Sequence, residues 1–343
     1  MNHAVIGTVT TGTESIRKLT ISIAVCAALM LATPVTAQTK WRAAGNFAVE
    51  HTSTAAMTVF KDELNKNASG KLTVDVFPAM QLGGAQENVQ AVRAGTIQVV
   101  WVGMAFLTRT VPELEAISLP FQFSSREQAF RVVDGPIGRE IDKKMADKGL
   151  TLLGFMELGA RHVTNSKRAI KSLEDLKGLK IRLQPNETHL ATFRALGANA
   201  VAMDVKELYP AMQQGVVDGQ ENPLSIISAG RYFEVQKFLT TSGHFFDFIA
   251  VIAHRKSFES QPAATQKAIR DAMTTAIVYQ RERAKIQEAD AMADLVKRGI
   301  TIEQASPQLV ADMRKATSGI VEDVKKRAGA DLVARVLAET AKK

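Results

Sequence analysis

Two arginines and one asparagine carry the chemistry most readily read from this sequence. Arg161 opens one strand-like segment and Arg182 ends another, 21 positions on, each among apolar neighbours. A planar guanidinium can hold a carboxylate through two parallel hydrogen bonds, and ligands of open α/β sheets bind beyond the carboxyl ends of strands. On spacing alone two readings are equal. Either both arginines face a cleft and take an anion, or they close structural ion pairs, Arg161 with Glu157 and Arg182 with Glu187. In Asp218-Gly219-Gln220-Glu221-Asn222-Pro223, Pro223 biases Asn222 toward extended backbone, so that its amide can project as donor and acceptor. The same residue types also build a surface turn.

Catalytic signatures are scarce. The sequence has no G-x-S-x-G elbow, no H-E-x-x-H, no EF-hand loop and no G-x-G-x-x-G. His51, His162, His189, His244 and His254 are scattered. Only His244 and Asp247 have a ligand-like separation, and residues three apart on a strand point to opposite faces. No metal and no cofactor are expected.

The elements that must position these residues follow from composition and pattern. The chain has 343 residues, 43 Lys plus Arg against 35 Asp plus Glu, 46% hydrophobic residues and one cysteine, the profile of an ordinary globular protein. Arg17 and Lys18, the apolar run Leu19 to Leu31 and the small-residue site Val35-Thr36-Ala37 read as a secretory signal over residues 1–37, cleaved after Ala37. That run is short for a membrane span, and no later segment reaches the roughly 20 apolar residues a span requires. Export takes Cys26 away, which excludes disulfides, thiolate zinc sites and a cysteine nucleophile from the mature chain. The remaining 306 residues keep a net charge of +7. Their Lys and Arg are dispersed without the basic stripe that tracks phosphates, so a nucleic-acid partner is not expected and attraction of small anions fits better.

From Lys40 onward strand-like and helical runs alternate, the pattern of an α/β protein. Strands are expected at Lys40 to Ala44, Leu72 to Phe77, Ile97 to Val102, Leu150 to Phe155, Arg161 to Thr164, Leu179 to Leu183 and Phe245 to His254. Gly159 is expected to interrupt the pair on either side of it. Helices are expected over Val49 to Asn65, from Gly84 to Gly95, and from an Asp204 cap with Glu207 in capping-box spacing to Gly215, kinked at Pro210. A helical pattern from Pro262 to about Arg298 is roughly 55 Å long at 1.5 Å per residue, enough to brace two lobes.

Gly178-Leu179-Lys180-Ile181-Arg182 and Asp218 to Pro223, with Gln81-Leu82-Gly83 after Phe77-Pro78, resemble the solute-binding proteins of tripartite ATP-independent periplasmic (TRAP) transporters, in the DctP-type branch. The resemblance covers essentially all of the chain after the signal. It implies a two-lobed periplasmic receptor with interleaved lobes that closes on an organic acid and delivers it to the TRAP membrane permease, acting as a monomer and without catalysis. Residue by residue, the family's main carboxylate-binding arginine falls on Arg182, a second arginine on Arg161, and the asparagine that also reaches the carboxylate on Asn222.

Further candidates are Gln184, on the same strand face as Arg182, then Asn46, Glu50 and Gln86 from the first lobe. One of Phe245 and Phe246, with Phe246 the candidate, is expected to supply an aromatic wall. Where sugar-acid-binding members resemble one another in carrying a carboxylate and an arginine, this sequence has Gly103 and Phe106, with Trp101 and Met104 nearby. That implies an apolar end to the pocket and a compact 2-oxo or aromatic acid, unless those side chains are core. The expected lobes are 38–158 plus 249–287 and 159–248 plus 288–343. Competing functions are a binding protein for amino acids or other small anions in another transporter class, and a periplasmic enzyme.

Overall fold

The computed structural model describes residues 1–7, 39–68 and 70–342. The expected signal and its cleavage site lie, beyond Gly7, outside the described residues. Met1 to Gly7 are exposed and without regular secondary structure; the unit Thr39–Lys343 carries the fold.

The first three strands, β1 (Thr39–Gly45), β2 (Leu72–Phe77) and β3 (Val99–Gly103), are parallel and alternate with helices α1 (Thr52–Asn67) and α2 (Ala85–Ala94). The His51 ring accepts the Ser53 N–H and starts α1, whose Met57, Phe60 and Leu64 then stack on one buried face. Helices α3 (Arg126–Asp134) and α4 (Pro136–Ala146) follow. Strand β4 (Leu150–Asn165) then runs for 16 residues, and the second α/β unit contributes β5 (Lys180–Leu183), α5 (Glu187–Ala195), β6 (Asn199–Ala202), α6 (Val205–Gln213), β7 (Gly219–Asn222) and α7 (Leu224–Ala229). The return strand β8 (Phe238–His254), α8 (Arg255–Glu259), the 35-residue α9 (Ala263–Lys297), β9 (Thr301–Gln304) and helices α10 (Pro307–Ala316), α11 (Ile320–Ala328) and α12 (Ala330–Ala341) complete the chain.

Among the described residues the strands form one sheet of order β2-β1-β3-β8-β4-β7-β5-β6, with β9 on β8. Its centre is the antiparallel β4–β8 pair, which passes from one α/β unit into the other. The expected break at Gly159 does not occur. Gly154 and Gly159, at φ +148° and +113°, instead let β4 continue through register shifts after Leu152 and Glu157. The Asp218 to Pro223 stretch is likewise no surface turn: Gly219 to Asn222 form a buried strand.

Each unit has its own core. Phe60, Trp101 and Ile249 pack on one face of the first unit and Val100, Ile137 and Phe248 on the other; Ile181, Phe193 and Phe245, then Leu208, Ile227 and Leu239, flank the second. Helix α9 is about 52 Å long. It lays Ile269 and Met273 on the first unit and Ala291 and Leu295 on the second, as a brace. The C-terminal helices correct the expected division of 288–343: Ile320, Val324, Val333 and Val336 pack with Leu114, Ile137 and Ile141 of the first unit, because the apolar faces of α11 and α12 cover its outer helices.

Candidate functional site

The carboxyl ends of β1, β2 and β3 from one unit and of β5 and β7 from the other converge on a cavity of about 310 Å³. Asn46 and Phe47 follow β1, Ala79 and Met80 follow β2, Gly103 ends β3 and Phe106 lies in the turn after it, Arg182 and Gln184 lie at the end of β5, and Asn222 ends β7. Strand ends gather there because, in each unit, the connections leave a crevice outside the carboxyl ends of the parallel strands. Tyr232, Tyr209, Lys206 and Glu50 complete the polar lining. Ala79 and Met80 hold left-handed backbone at φ 50° and 60°, fixed by N–H donation to the carbonyls of Phe47 and Gly45 at 3.0 and 2.9 Å.

Arg182 is 1% exposed. Its Nε donates to the Met203 carbonyl at 2.9 Å, while Nη2 finds no partner and the side chain enters no ion pair among the described residues. Burial lowers its pKa to about 10, still fully protonated at neutral pH. Gln184 is equally uncommitted: among the described residues its side-chain amide has no hydrogen-bond partner, and its Oε1 is buried. The Asn46 amide donates weakly to the Gly83 carbonyl at 3.5 Å, and its Oδ1 has no partner among the described residues. A Cβ on Gly103 would stand 2.8 Å from Gln184 Nε2, so glycine at this position lets an amide of the second unit close against the first.

Arg161 is a different object. It is fully buried in β4, and its Nε and Nη2 grip the two Glu221 carboxylate oxygens at 2.5 and 2.8 Å. Nη1 reaches Asp247 at 3.2 Å, and Nη2 also donates to Asn222 Oδ1 at 3.0 Å. Burial works against the Arg161 charge, yet Glu221 and Asp247 outweigh it and raise its pKa. Burial likewise pushes Glu221 upward, but Arg161 and a hydrogen bond from His244 hold it below the ordinary carboxylate value. Burial moves Asp247, the more distant partner, up to about 6. Glu221 and Asp247 are thus committed to Arg161, and Arg182 has no carboxylate within ion-pair distance among the described residues.

Six expected site residues come together around the cavity: Arg182, Asn222, Gln184, Phe106, Asn46 and Glu50. Four do not. Arg161 sits behind Asn222, paired with protein carboxylates rather than with Glu157, which binds Arg126. Trp101 is core, edge-on to Phe60 at 5.5 Å, because alternation along β3 turns it to the α1 side. Gln86 is exposed on α2. Phe246 lines a separate cavity with Phe123 and Glu157, while Phe245 stacks on His189 at 4.1 Å; neither ring reaches the Arg182 cavity. Met104 is also core. Sequence reading missed Phe47, Met80, Leu158 and Tyr232; for the first two, the loops after β1 and β2 were the available signal. A wider groove of about 600 Å³ shares Glu50 and Ala229 with the site, but its charged lining includes the Arg298–Asp294 ion pair and, among the described residues, no unpaired buried charge.

Two α/β units joined by long crossing strands, with a crevice where their strand ends meet, define the two-lobed class of binding proteins. The chain belongs to the bacterial extracellular solute-binding protein family 7, DctP, which matches residues 44–327, and it is a TRAP-type solute-binding protein. It is 37% identical over 247 residues to a solute-binding protein of Verminephrobacter eiseniae, covering 72% of this chain and 74% of that one. It is 30% identical over 284 residues to the C4-dicarboxylate-binding periplasmic protein DctP of Rhodobacter capsulatus, covering 82% and 85%. The crystal structure of the sugar acid binding protein DctPAm of Advenella mimigardefordensis with galactonate superposes with a TM-score of 0.86 at 30% identity, covering 89% of this chain and 98% of that one. The family serves transport rather than catalysis, its members are periplasmic, and TRAP binding proteins work with a membrane permease. Among the described residues no helix is long and apolar enough to cross a membrane.

Proposed function

We propose that this protein captures an organic carboxylate on Arg182 and hands it to the permease of a TRAP transporter. The observation that carries this reading is the buried Arg182 guanidinium with an unpaired Nη2 facing a lobe-to-lobe cavity. A buried charge without a partner is costly, and a bound carboxylate supplies that partner. Gln184 and Tyr232 line the same cavity and offer further hydrogen bonds to the acid, and Asn222, whose Oδ1 accepts from Arg161 and whose Nδ2 donates to Gln220 Oε1 at 2.5 Å, lines it as well. C4-dicarboxylate and galactonate binding by the relatives fits an acid in this position.

For the remainder of the ligand, Phe47, Met80, Phe106, Leu158 and Ile226 give apolar walls. We therefore assign a compact acid with an apolar or aromatic tail, of the 2-oxo or aromatic type. Calorimetric titration with pyruvate, phenylpyruvate and benzoate against galactonate and succinate tests it: binding of galactonate or succinate alone rejects this choice, and binding of none rejects acid capture.

We place the lobe crossings in β4 near Gly159, in β8 near Phe246 and in α9, with α11 and α12 assigned to the first lobe. We further propose export with cleavage after Ala37 and action as a monomer. N-terminal sequencing of the secreted protein and light scattering test these two points.

A further inference from the structure

The two lobes also meet at the Asp204 carboxylate, just outside the cavity. Asp204 precedes α6 in the second lobe and caps that helix, its Oδ1 accepting the Lys206 N–H at 3.1 Å. The same carboxylate reaches across to the first lobe, where Oδ1 accepts the Ala85 N–H at 3.2 Å and Oδ2 the Gln86 N–H at 2.8 Å. The first N–H groups of a helix have no partner within it, and the positive end of the helix dipole lies there. Asp204 thus serves the starts of two helices that belong to different lobes. Glu87, which already accepts the Gly84 N–H at 2.7 Å, adds a second tie 4.0 Å from Lys206 Nζ.

Gly84 makes the approach possible. A Cβ there would stand 2.9, 3.0 and 3.1 Å from Asp204 Oδ1, Cγ and Oδ2, although its backbone, at φ −68° and ψ 175°, suits any residue. The contact also adjoins the ligand wall. Asn46, which lines the cavity, donates to the carbonyl of Gly83, and Val205 and Lys206, next to Asp204, line the cavity from the other side.

We propose that Asp204 is the latch of the closed form: lobe closure exchanges water on the first N–H groups of α2 for the Asp204 carboxylate, and this exchange favours the closed state whatever acid is bound. A contact made in only one of two conformations shifts their populations by its own free energy. The latch needs no chemistry from the ligand and so stands apart from the assignment of Arg182.

The test is a distance measurement by pulsed electron spin resonance on the full chain, with Cys26→Ser and spin labels at Gln90→Cys and Glu207→Cys on the exposed faces of α2 and α6. It is run without ligand and with saturating succinate, galactonate and phenylpyruvate in turn. Two variants separate the latch from the helix cap: Gly84→Ala blocks the approach and leaves the α6 cap intact, and Asp204→Asn keeps a capping oxygen but loses the charge. The expected result is a short-distance population in the parent that falls at least threefold in both variants, at an unchanged melting temperature. An equal short-distance population in parent and variants, or no such population under any condition, overturns the latch. A short-distance population that is sensitive to both substitutions but indifferent to all three acids supports the latch and counts against acid capture.

Discussion

Arg161 and Arg182 are identical in type, both buried, and 21 positions apart, yet they answer to opposite electrostatics. Arg182 keeps an unpaired Nη2, so Arg182→Ala is expected to remove about 2–5 kcal/mol of binding free energy, the usual result of deleting one side of a desolvated charge pair. Arg182→Lys restores the charge without the two-pronged contact and should recover only part of it. Both variants should melt close to the parent, and unchanged titration calorimetry in folded variants would remove Arg182 from the site. Arg161→Met leaves Glu221 buried without its partner and is expected to cost about 3–5 kcal/mol of stability, seen as a lower melting temperature before any change in affinity is considered. The sequence places both arginines in strands but cannot tell them apart, because the difference lies in Glu221 and Asp247, 60 and 86 residues beyond Arg161. Trp101 and Phe106 illustrate the same limit. Both are apolar residues near the end of β3, and only the turn of the chain after Gly103 decides that one enters the core and the other the cavity wall.

Elements were more legible than side-chain destinations, and the reason is local chemistry. Leu72 to Phe77 is a strand as expected, and the 35-residue helix α9 lies inside its expected span, since alternation and helical spacing are written in adjacent residues. What local chemistry could not supply was the continuity of β4, where glycine reads as an interruption and pairing with β8 converts it into a bend. Gly154 and Gly159 then make separable predictions. Alanine at Gly159 meets nothing closer than Pro223 Cβ at 3.6 Å, so its cost is backbone strain of about 1–3 kcal/mol at φ +113°. Alanine at Gly154 adds a collision, its Cβ falling 2.4 Å from Ile277 Cδ1 on α9. Calorimetry should therefore show Gly154→Ala melting below Gly159→Ala, and Gly154→Ala with Ile277→Val recovering part of the loss. Equal melting of the two single variants would mean that the α9 brace does not press on β4.

At the scale of the whole molecule, stability has a pH dependence set by groups that folding removes from water. Burial lowers His51 to about 4 and His162 and His189 to about 3, and it lowers His244 as well. Burial acts in the opposite sense on two carboxyls, raising Asp247 to about 6 and Glu157 to about 7. Between about pH 5 and 6.5 the unfolded chain protonates His51, His162 and His189 while the folded chain does not, so these three groups make stability fall as pH falls, and His244, lowered as well, acts in the same sense. Over much of that window Asp247 and Glu157 are protonated in the fold and ionised in the unfolded chain, which makes stability rise as pH falls. Three histidines oppose two carboxyls, leaving roughly half to one proton taken up on unfolding before His244 adds to it, or about 0.7–1.4 kcal/mol lost per pH unit on acidification from 6.5 to 5. Scanning calorimetry across that range should show a falling melting temperature. His189→Phe, which keeps a ring against Phe245 and removes one titrating site, should flatten the slope by roughly one proton. A melting temperature that holds level or climbs toward pH 5 in the parent would show that the two raised carboxyls, and not the histidines, dominate the proton balance of the buried network around Arg161.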